Sequence, residues 1–287
     1  MIVVTGATGQ LGSRIVQHLL ERVPAEGIGV SVRDTDAAAE LADRGVRVRR
    51  GDFADPSTLA SAFEGASQVL VVSVDRLGEE AVAAHRVALD AALEAGAQRI
   101  LYTSHQAAGP DSLFEPARDH AATETHLSGL GVPFTALRDG FHASTVPRLV
   151  GAALQTGELV APEDGPVSWT THDDLAEAAA AVLADPDRPE RDTSVLTARE
   201  AVTLEQVADL LSERSGRTVR RVVVGDEDYV AGLVRHGVPE PAARMLLTLF
   251  LAARRGEFAV TAPTLAELVG REPQPVSTVL DAGVPAG

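Results

Sequence analysis

The chain has 287 residues and no cysteine, which removes disulfides, thiolate catalysis and cysteine-ligated metals from consideration. It has no lysine either. All 25 basic residues are arginine, so no lysine-dependent mechanism is available. Aromatic residues make up 3%, too little for large stacking platforms. Cations are outnumbered: 41 acidic against 25 basic residues give a formal net charge of −16. A surface of that sign argues against nucleic acid as a bulk partner, because neutralising phosphates takes clustered cations. It leaves room for a local basic pocket around one phosphate. No run of about 18 apolar residues exists to span a bilayer. The apolar opening, Met1–Thr5, is interrupted at once by glycine and does not read as a secretory signal. A cytoplasmic globular protein with neither a nucleic-acid nor a membrane partner is the expectation, a homodimer being one of its admissible states.

What is present is alternation. Apolar runs at Met1–Val4, Ile28–Val32, Val46–Arg49, Gln68–Val72 and Arg99–Thr103 are separated by stretches with helical periodicity at Gly12–Val23, Ala37–Arg44, Pro56–Phe63 and Glu79–Ala95. Strands alternating with helices imply parallel strands joined by right-handed crossovers. Strands this apolar are covered on both faces. The fold class expected is α/β: a Rossmann-type, doubly wound parallel sheet with a smaller, mostly helical C-terminal lobe. Residues 1–145 are read as the dinucleotide-binding domain and 146–287 as a substrate-pocket lobe interwoven with it. Past the fifth strand the pattern predicts helices over His120–Leu130, Pro147–Gln155, Asp173–Ala184, Thr203–Ser215, Asp226–His236 and Pro239–Arg254. Strands are predicted at Phe134–Arg138, Ser194–Thr197 and Val219–Val224, and a polar loop at Asp185–Asp192.

The first turn carries chemistry. Gly6, Ala7, Thr8, Gly9, Gln10, Leu11 and Gly12 follow the first strand and open the first helix with Gly-x-x-Gly-x-x-Gly spacing. Gly6 permits a sharp turn. Gly9 lets backbone approach a pyrophosphate, and Gly12 lets helix and sheet pack closely, with free N–H groups turned to the anion. After the second strand an NAD site usually presents a carboxylate to the ribose 2′-hydroxyl. Here Arg33 stands there, suited to grip a 2′-phosphate with two N–H groups. Asp34 follows and is the alternative, so NADP(H) is expected ahead of NAD(H). Asp52 and Phe53, after the third strand, are candidates for the adenine; Ser73 and Val74 end the fourth strand at the ligand-binding edge.

Taken in order, Met-Ile-Val-Val-Thr-Gly-Ala-Thr-Gly-Gln-Leu-Gly, Val32-Arg33-Asp34, Gly51-Asp52-Phe53, Tyr102-Thr103-Ser104 and Leu137-Arg138-Asp139-Gly140-Phe141 resemble the NmrA-like branch of atypical short-chain dehydrogenases, in particular its bacterial NAD(P)H:quinone oxidoreductases. The likeness continues through Trp169–Ala176 and Thr264–Gly270. It implies that Gly6 to Gly12 and Arg33 contact the cofactor, that Ser73 and Val74 line its ribose, and that Thr103 and Ser104 lie near the nicotinamide. Arg138, Gly140, Phe141 and His142 would close over that end. The family also contains redox-sensing regulators that bind dinucleotide without turnover.

The Tyr-x-x-x-Lys pair of typical short-chain dehydrogenases is absent. Tyr102 sits inside a strand, Tyr229 falls in the distal lobe, and Thr125 stands where quinone reductase-like relatives tend to have Lys. Ser104, His105 and His120 are the candidate catalytic groups, able to stabilise a developing oxyanion or to act as a general acid. His142, Trp169 and His172 are the candidate substrate contacts, with core packing the alternative for Trp169. No zinc pattern is recognised among the histidines. The function expected is NADPH-dependent reduction of a quinone or similar flat carbonyl compound by direct hydride transfer. The alternatives are a non-catalytic NADP(H)-sensing regulator and a tailoring enzyme of aromatic secondary metabolism.

Overall fold

The apolar runs of the first half form strands, each followed by a helix that returns the chain to the opposite end of the sheet. In a computed structural model describing residues 1–151, 153–185 and 191–281, the order is β1 (Ile2–Thr5), α1 (Gln10–Leu20), β2 (Ile28–Val32), α2 (Ala39–Asp43), β3 (Arg47–Arg50), α3 (Leu59–Phe63), β4 (Gln68–Val71), α4 (Gly78–Glu94), β5 (Arg99–His105), α5 (Glu115–Gly129) and β6 (Phe134–Asp139). The second half adds α6 (Val146–Val150), α7 (Ala153–Thr156), β7 (Glu158–Pro162), α8 (His172–Ala184), β8 (Arg191–Leu196), α9 (Leu204–Ser215), β9 (Arg220–Val224), α10 (Asp226–Arg235), α11 (Glu240–Arg254), α12 (Thr264–Val269) and α13 (Ser277–Asp281).

Seven strands make one parallel sheet in the order β3-β2-β1-β4-β5-β6-β8. Chain order reverses between β1 and β4. In doubly wound folds that reversal opens a crevice at the carboxyl ends of the strands, where ligands bind. Helices cover both faces. On one, Ile15, Val16 and Leu19 of α1 meet Leu175 and Ala179 of α8 and Leu265 of α12. On the other, Leu59 and Phe63 of α3, Leu89 of α4 and Leu127 of α5 pack on Val69, Ile100 and Tyr102. A further core, with Phe114, Phe141, Trp169, Phe250 and Phe258, lies beyond the carboxyl edge.

The second half is mostly helical, as expected, and shares its layers with the first. β8 forms the last strand of the large sheet, and α8 covers that sheet's face. A cut at residue 145 therefore divides the sequence but runs through the layers. A second, two-stranded parallel sheet pairs β7 with β9; the sequence reading placed β9 and missed β7. The single helix expected over Pro147–Gln155 is two, α6 and α7, because Gly151 turns with φ +47° and ends the first. In the expected loop Asp185–Asp192, residues 186–190 lie outside the described set, and β8 begins at Arg191 rather than Ser194. A capping box opens α9: the Gln206 backbone N–H donates to Thr203 Oγ1, and Gln206 Oε1 accepts from the Thr203 N–H at 2.8 Å.

Candidate active site

The crevice begins at the glycine loop. Gly6 holds φ +62°, a region that costs a side-chain-bearing residue energy but glycine little. Its N–H donates to Ser31 O at 3.2 Å, tying the loop to β2. A Cβ on Gly12 would stand 2.3 Å from Gly6 O, so only glycine lets the first turn of α1 lie this close to the loop. Gly9 is the N-cap, no side chain caps the helix, and its first turn carries no acid. The positive end of α1 is thus left for an outside anion. Thr8, Gly9 and Gln10 are exposed, while Ala7, Leu11 and Gly12 are buried beneath them.

Past β2, Arg33 is exposed and, among the described residues, has no hydrogen-bond or ion-pair partner. Asp34 behaves differently: its Oδ1 accepts from the Asp36 N–H at 3.0 Å. Asp52 likewise spends one oxygen on its own turn, accepting from the Ala54 N–H at 3.0 Å. Phe53 packs partly buried against the α3–α4 core.

The ends of β4 and β5 are stitched by hydroxyls. The N–H groups of Val72 and Ser73 donate to Thr5 Oγ1 and Thr103 Oγ1, each at 2.9 Å. Thr103 Oγ1 in turn donates to Ser73 Oγ at 3.2 Å. The Val74 N–H donates to His85 Nε2 at 3.0 Å.

Register then brings three functional pairs level: Thr103 with Leu137, Ser104 with Arg138, and His105 with Asp139. Ser104 is buried and gives its hydroxyl proton to Glu124 Oε1 at 2.6 Å. Arg138 grips the same carboxylate through Nε at 2.9 Å and Nη2 at 2.6 Å. The Ser104 hydroxyl expected to serve as a donor is therefore committed inside the protein. Arg138, expected over the nicotinamide, is the counter-ion of Glu124, and that hydrogen bond holds its guanidinium above the ordinary arginine pKa.

The histidines sort into two groups. His126 and His18 pair with Asp90 and Asp173 at 2.6 and 3.0 Å. His120 Nδ1 lies 2.7 Å from Tyr102 Oη, and His105 stacks on the His120 ring at a centroid distance of 6.1 Å. His142 and His172 adjoin each other at 4.4 Å. Burial drives His105 down to about 3 and His142 down to about 4, and lowers His120 and His172 as well. These imidazoles are neutral near pH 7. Burial therefore disfavours an imidazolium at His105 and His120. His105 Nδ1 accepts from the Ala107 N–H at 3.1 Å, and its Nε2 is buried without a partner.

The roof is aromatic. Phe141 meets Phe114, Phe258 and Trp169 with centroids 5.4, 5.0 and 5.2 Å away. Trp169 is 2% exposed and packs in this core, so it is not the face of an open pocket; its Nε1 is buried and unbonded. Gly140 is also a packing position: a Cβ there would come 2.1 Å from Thr170 Oγ1.

Three residues escaped sequence reading. His85 belongs to the buried stripe Ala81, Ala84, Ala88, Ala92 of α4, so a histidine on an otherwise alanine-lined helix face was the available signal. Tyr102 was set aside for being in a strand. Asp139 is buried, no hydrogen bond reaches its carboxyl among the described residues, and desolvation pushes its pKa well up. A short polar residue at a strand end gives no such warning.

The model of the NmrA-like family matches residues 1–276. Quinone oxidoreductase 2 of Escherichia coli is 35% identical over 94% of both chains. Among solved structures, the NADPH-dependent quinone oxidoreductase QOR2 of Escherichia coli complexed with NADPH superposes with a TM-score of 0.92, at 32% identity over 99% of this chain and 100% of that one. The Citrobacter triphenylmethane reductase complexed with NADP(H) gives 0.91, at 34% identity over 99% and 100%.

Proposed function

Because the chain belongs to the NmrA-like family, we propose that it is an NADPH-dependent oxidoreductase reducing a quinone, or a comparably flat conjugated acceptor, by direct hydride transfer. One observation carries the reading. The uncapped end of α1 and the unpaired Arg33 lead along the sheet edge to a group of neutral imidazoles under an aromatic roof. Both similar structures hold NADP(H), and their names cover a quinone and a triphenylmethane.

The donor set fits the dinucleotide. Gly6 to Gly12 offer backbone N–H groups to the pyrophosphate. Arg33 is free for the 2′-phosphate, while Asp34, the carboxylate an NAD site would use, is engaged with its own turn. Asp52 and Phe53 would flank the adenine. Ser73, Val74 and Thr103 would hold the nicotinamide ribose. Gly140 and Phe141 back the cleft, and Arg138, locked on Glu124, fixes its floor. The bound cofactor supplies the hydride.

The residues around it do the rest. His142 and His172 line the acceptor, with Trp169 behind Phe141. His105 and His120 present N–H groups to the oxygen on which charge develops, in a dry setting where such donors act strongly. Neutral donors suit a neutral acceptor, since a buried unpaired cation is costly. A reduced quinone takes its remaining proton from solvent, whereas a cationic triphenylmethane dye is complete once the hydride is added.

The test is loss of NADPH absorbance with a panel of quinones and triphenylmethane dyes. Turnover is expected. Tight NADPH binding with no turnover across the panel overturns the reading in favour of a dinucleotide sensor.

A further inference from the structure

A line of hydrogen bonds leads from the cofactor side of the sheet to His120, and its direction is fixed at the start. The Val74 N–H can only donate, and its acceptor is His85 Nε2 at 3.0 Å. His85 therefore carries its proton on Nδ1. That atom lies 3.1 Å from Thr123 Oγ1 and 3.2 Å from Tyr102 Oη. Thr123 gives its own proton to Asp119 O at 2.9 Å, so it accepts from His85. Tyr102 Oη, facing a donor on that side, has Thr123 Oγ1 and His120 Nδ1 as acceptors, and the short contact, to His120 Nδ1 at 2.7 Å, takes its hydrogen bond. With Nδ1 accepting, the proton of His120 is on Nε2, which has no protein partner among the described residues.

We propose that His85 and Tyr102 are positioning residues that hold His120 as its Nε2–H tautomer, so that it meets the acceptor oxygen as a hydrogen-bond donor. The inference rests on the oxidoreductase reading. The surroundings keep every member in one protonation state. His105, His85 and His142 around His120 add repulsion to its desolvation. Burial takes His85 to about 4. Burial, helped by Glu124, Asp119 and Asp139, raises Tyr102 beyond the physiological range.

The line consequently orients and does not conduct. Passing a proton to the acceptor from His120 would leave an imidazolate, or a tyrosinate one step back, and both are disfavoured here. The balance of the reaction is hydride from the reduced dinucleotide to the acceptor and one proton from solvent to its oxyanion, leaving the oxidised dinucleotide. Since Val74 follows β4 at the sheet edge where the ribose would lie, the same residue would meet the cofactor and sets the tautomer.

The experiment pairs NMR with kinetics. In the folded full chain, ¹⁵N shifts of His120 should show a protonated Nε2 and a bare Nδ1. Tyr102→Phe should lose that pattern and lower kcat with a soluble naphthoquinone by about 10- to 100-fold, the scale seen when a metal-bound histidine loses its outer hydrogen-bond partner. KM for NADPH should stay unchanged. His85→Gln, which can still accept from Val74 and donate to Tyr102, should retain more activity than His85→Ala. The wild-type kcat should be flat from about pH 5.5 to about pH 8, because no member of the line titrates there. A protonated Nδ1 on His120, or Tyr102→Phe with unchanged kcat, overturns the inference. A wild type with the expected tautomer and no turnover overturns the oxidoreductase reading instead.

Discussion

The two ends of the crevice handle polarity in opposite ways. At the glycine loop polar groups are left open: no side chain caps the helix end, and Arg33 is exposed with no partner among the described residues. Under the aromatic roof the polar groups are buried and largely spend themselves on one another, as Ser104 does on Glu124 and Tyr102 on His120. A ligand that brings its own charges needs counter-charges not already consumed inside the protein. A reaction that creates one transient charge needs dry dipoles already aimed, whose own charge does not change with pH. Binding and chemistry are thus built from different materials, although both sit at the carboxyl edge of one sheet.

The largest effect should come from Gly12→Val. Its Cβ would collide with backbone at Gly6, and a flexible side chain is not there to move aside. Overpacking of this kind costs about 1–3 kcal/mol, and here it spreads the loop that receives the pyrophosphate. NADPH affinity by calorimetry should fall by about 100-fold or more, with a lower Tm. A lower Tm with unchanged NADPH affinity would mean the loop is packing alone, and the contrast between the two ends would fail.

Arg33→Ala comes next. Losing charge-assisted hydrogen bonds to the 2′-phosphate should cost about 1–3 kcal/mol, or roughly 5- to 150-fold in NADPH affinity. NADH affinity should hardly move, and neither should Tm, because Arg33 supports nothing in the fold. Equal losses for both cofactors would remove the assigned specificity.

The same contrast explains what the sequence made legible. The glycine loop, the strand-to-helix alternation and Arg33 are local features, each recognisable within one turn of chain, and the order of the strands follows from them. The imidazole cluster is not local. His85, Tyr102 and His120 come from α4, β5 and α5, and only parallel pairing of β4 with β5 brings them together. Ser104 and Arg138 looked free in sequence because their shared partner, Glu124, lies on a helix between their strands. Trp169 was open to two readings because burial depends on how the second half folds over the edge, and that half was the least periodic. β7 was missed for a related reason: its partner β9 follows some 60 residues later, and a short half-exposed strand has little pattern of its own.

The smallest effect tests whether the roofed end is neutral throughout. Asp139 is buried and its pKa is raised by desolvation. Above the ordinary carboxylate pKa the unfolded chain gives up this proton while the native chain keeps it, so Asp139 lowers stability as pH rises. Asp139→Asn removes that penalty with little change in shape. Its Tm advantage over wild type should be near zero at about pH 4 and grow toward pH 7. The histidines act in the other direction. His85, His105 and His142 have native values of about 4, about 3 and about 4, below the unfolded value. The unfolded chain therefore binds protons first, and stability falls as pH drops from about 6.5 through those values. The histidine contribution to that limb should be the same in wild type and Asp139→Asn, since the substitution leaves all three imidazoles in place, so the difference between the two curves isolates Asp139. An advantage largest at low pH would instead mean that Asp139 is ionised in the native protein and balances a charged imidazole, which would end the picture of a neutral site.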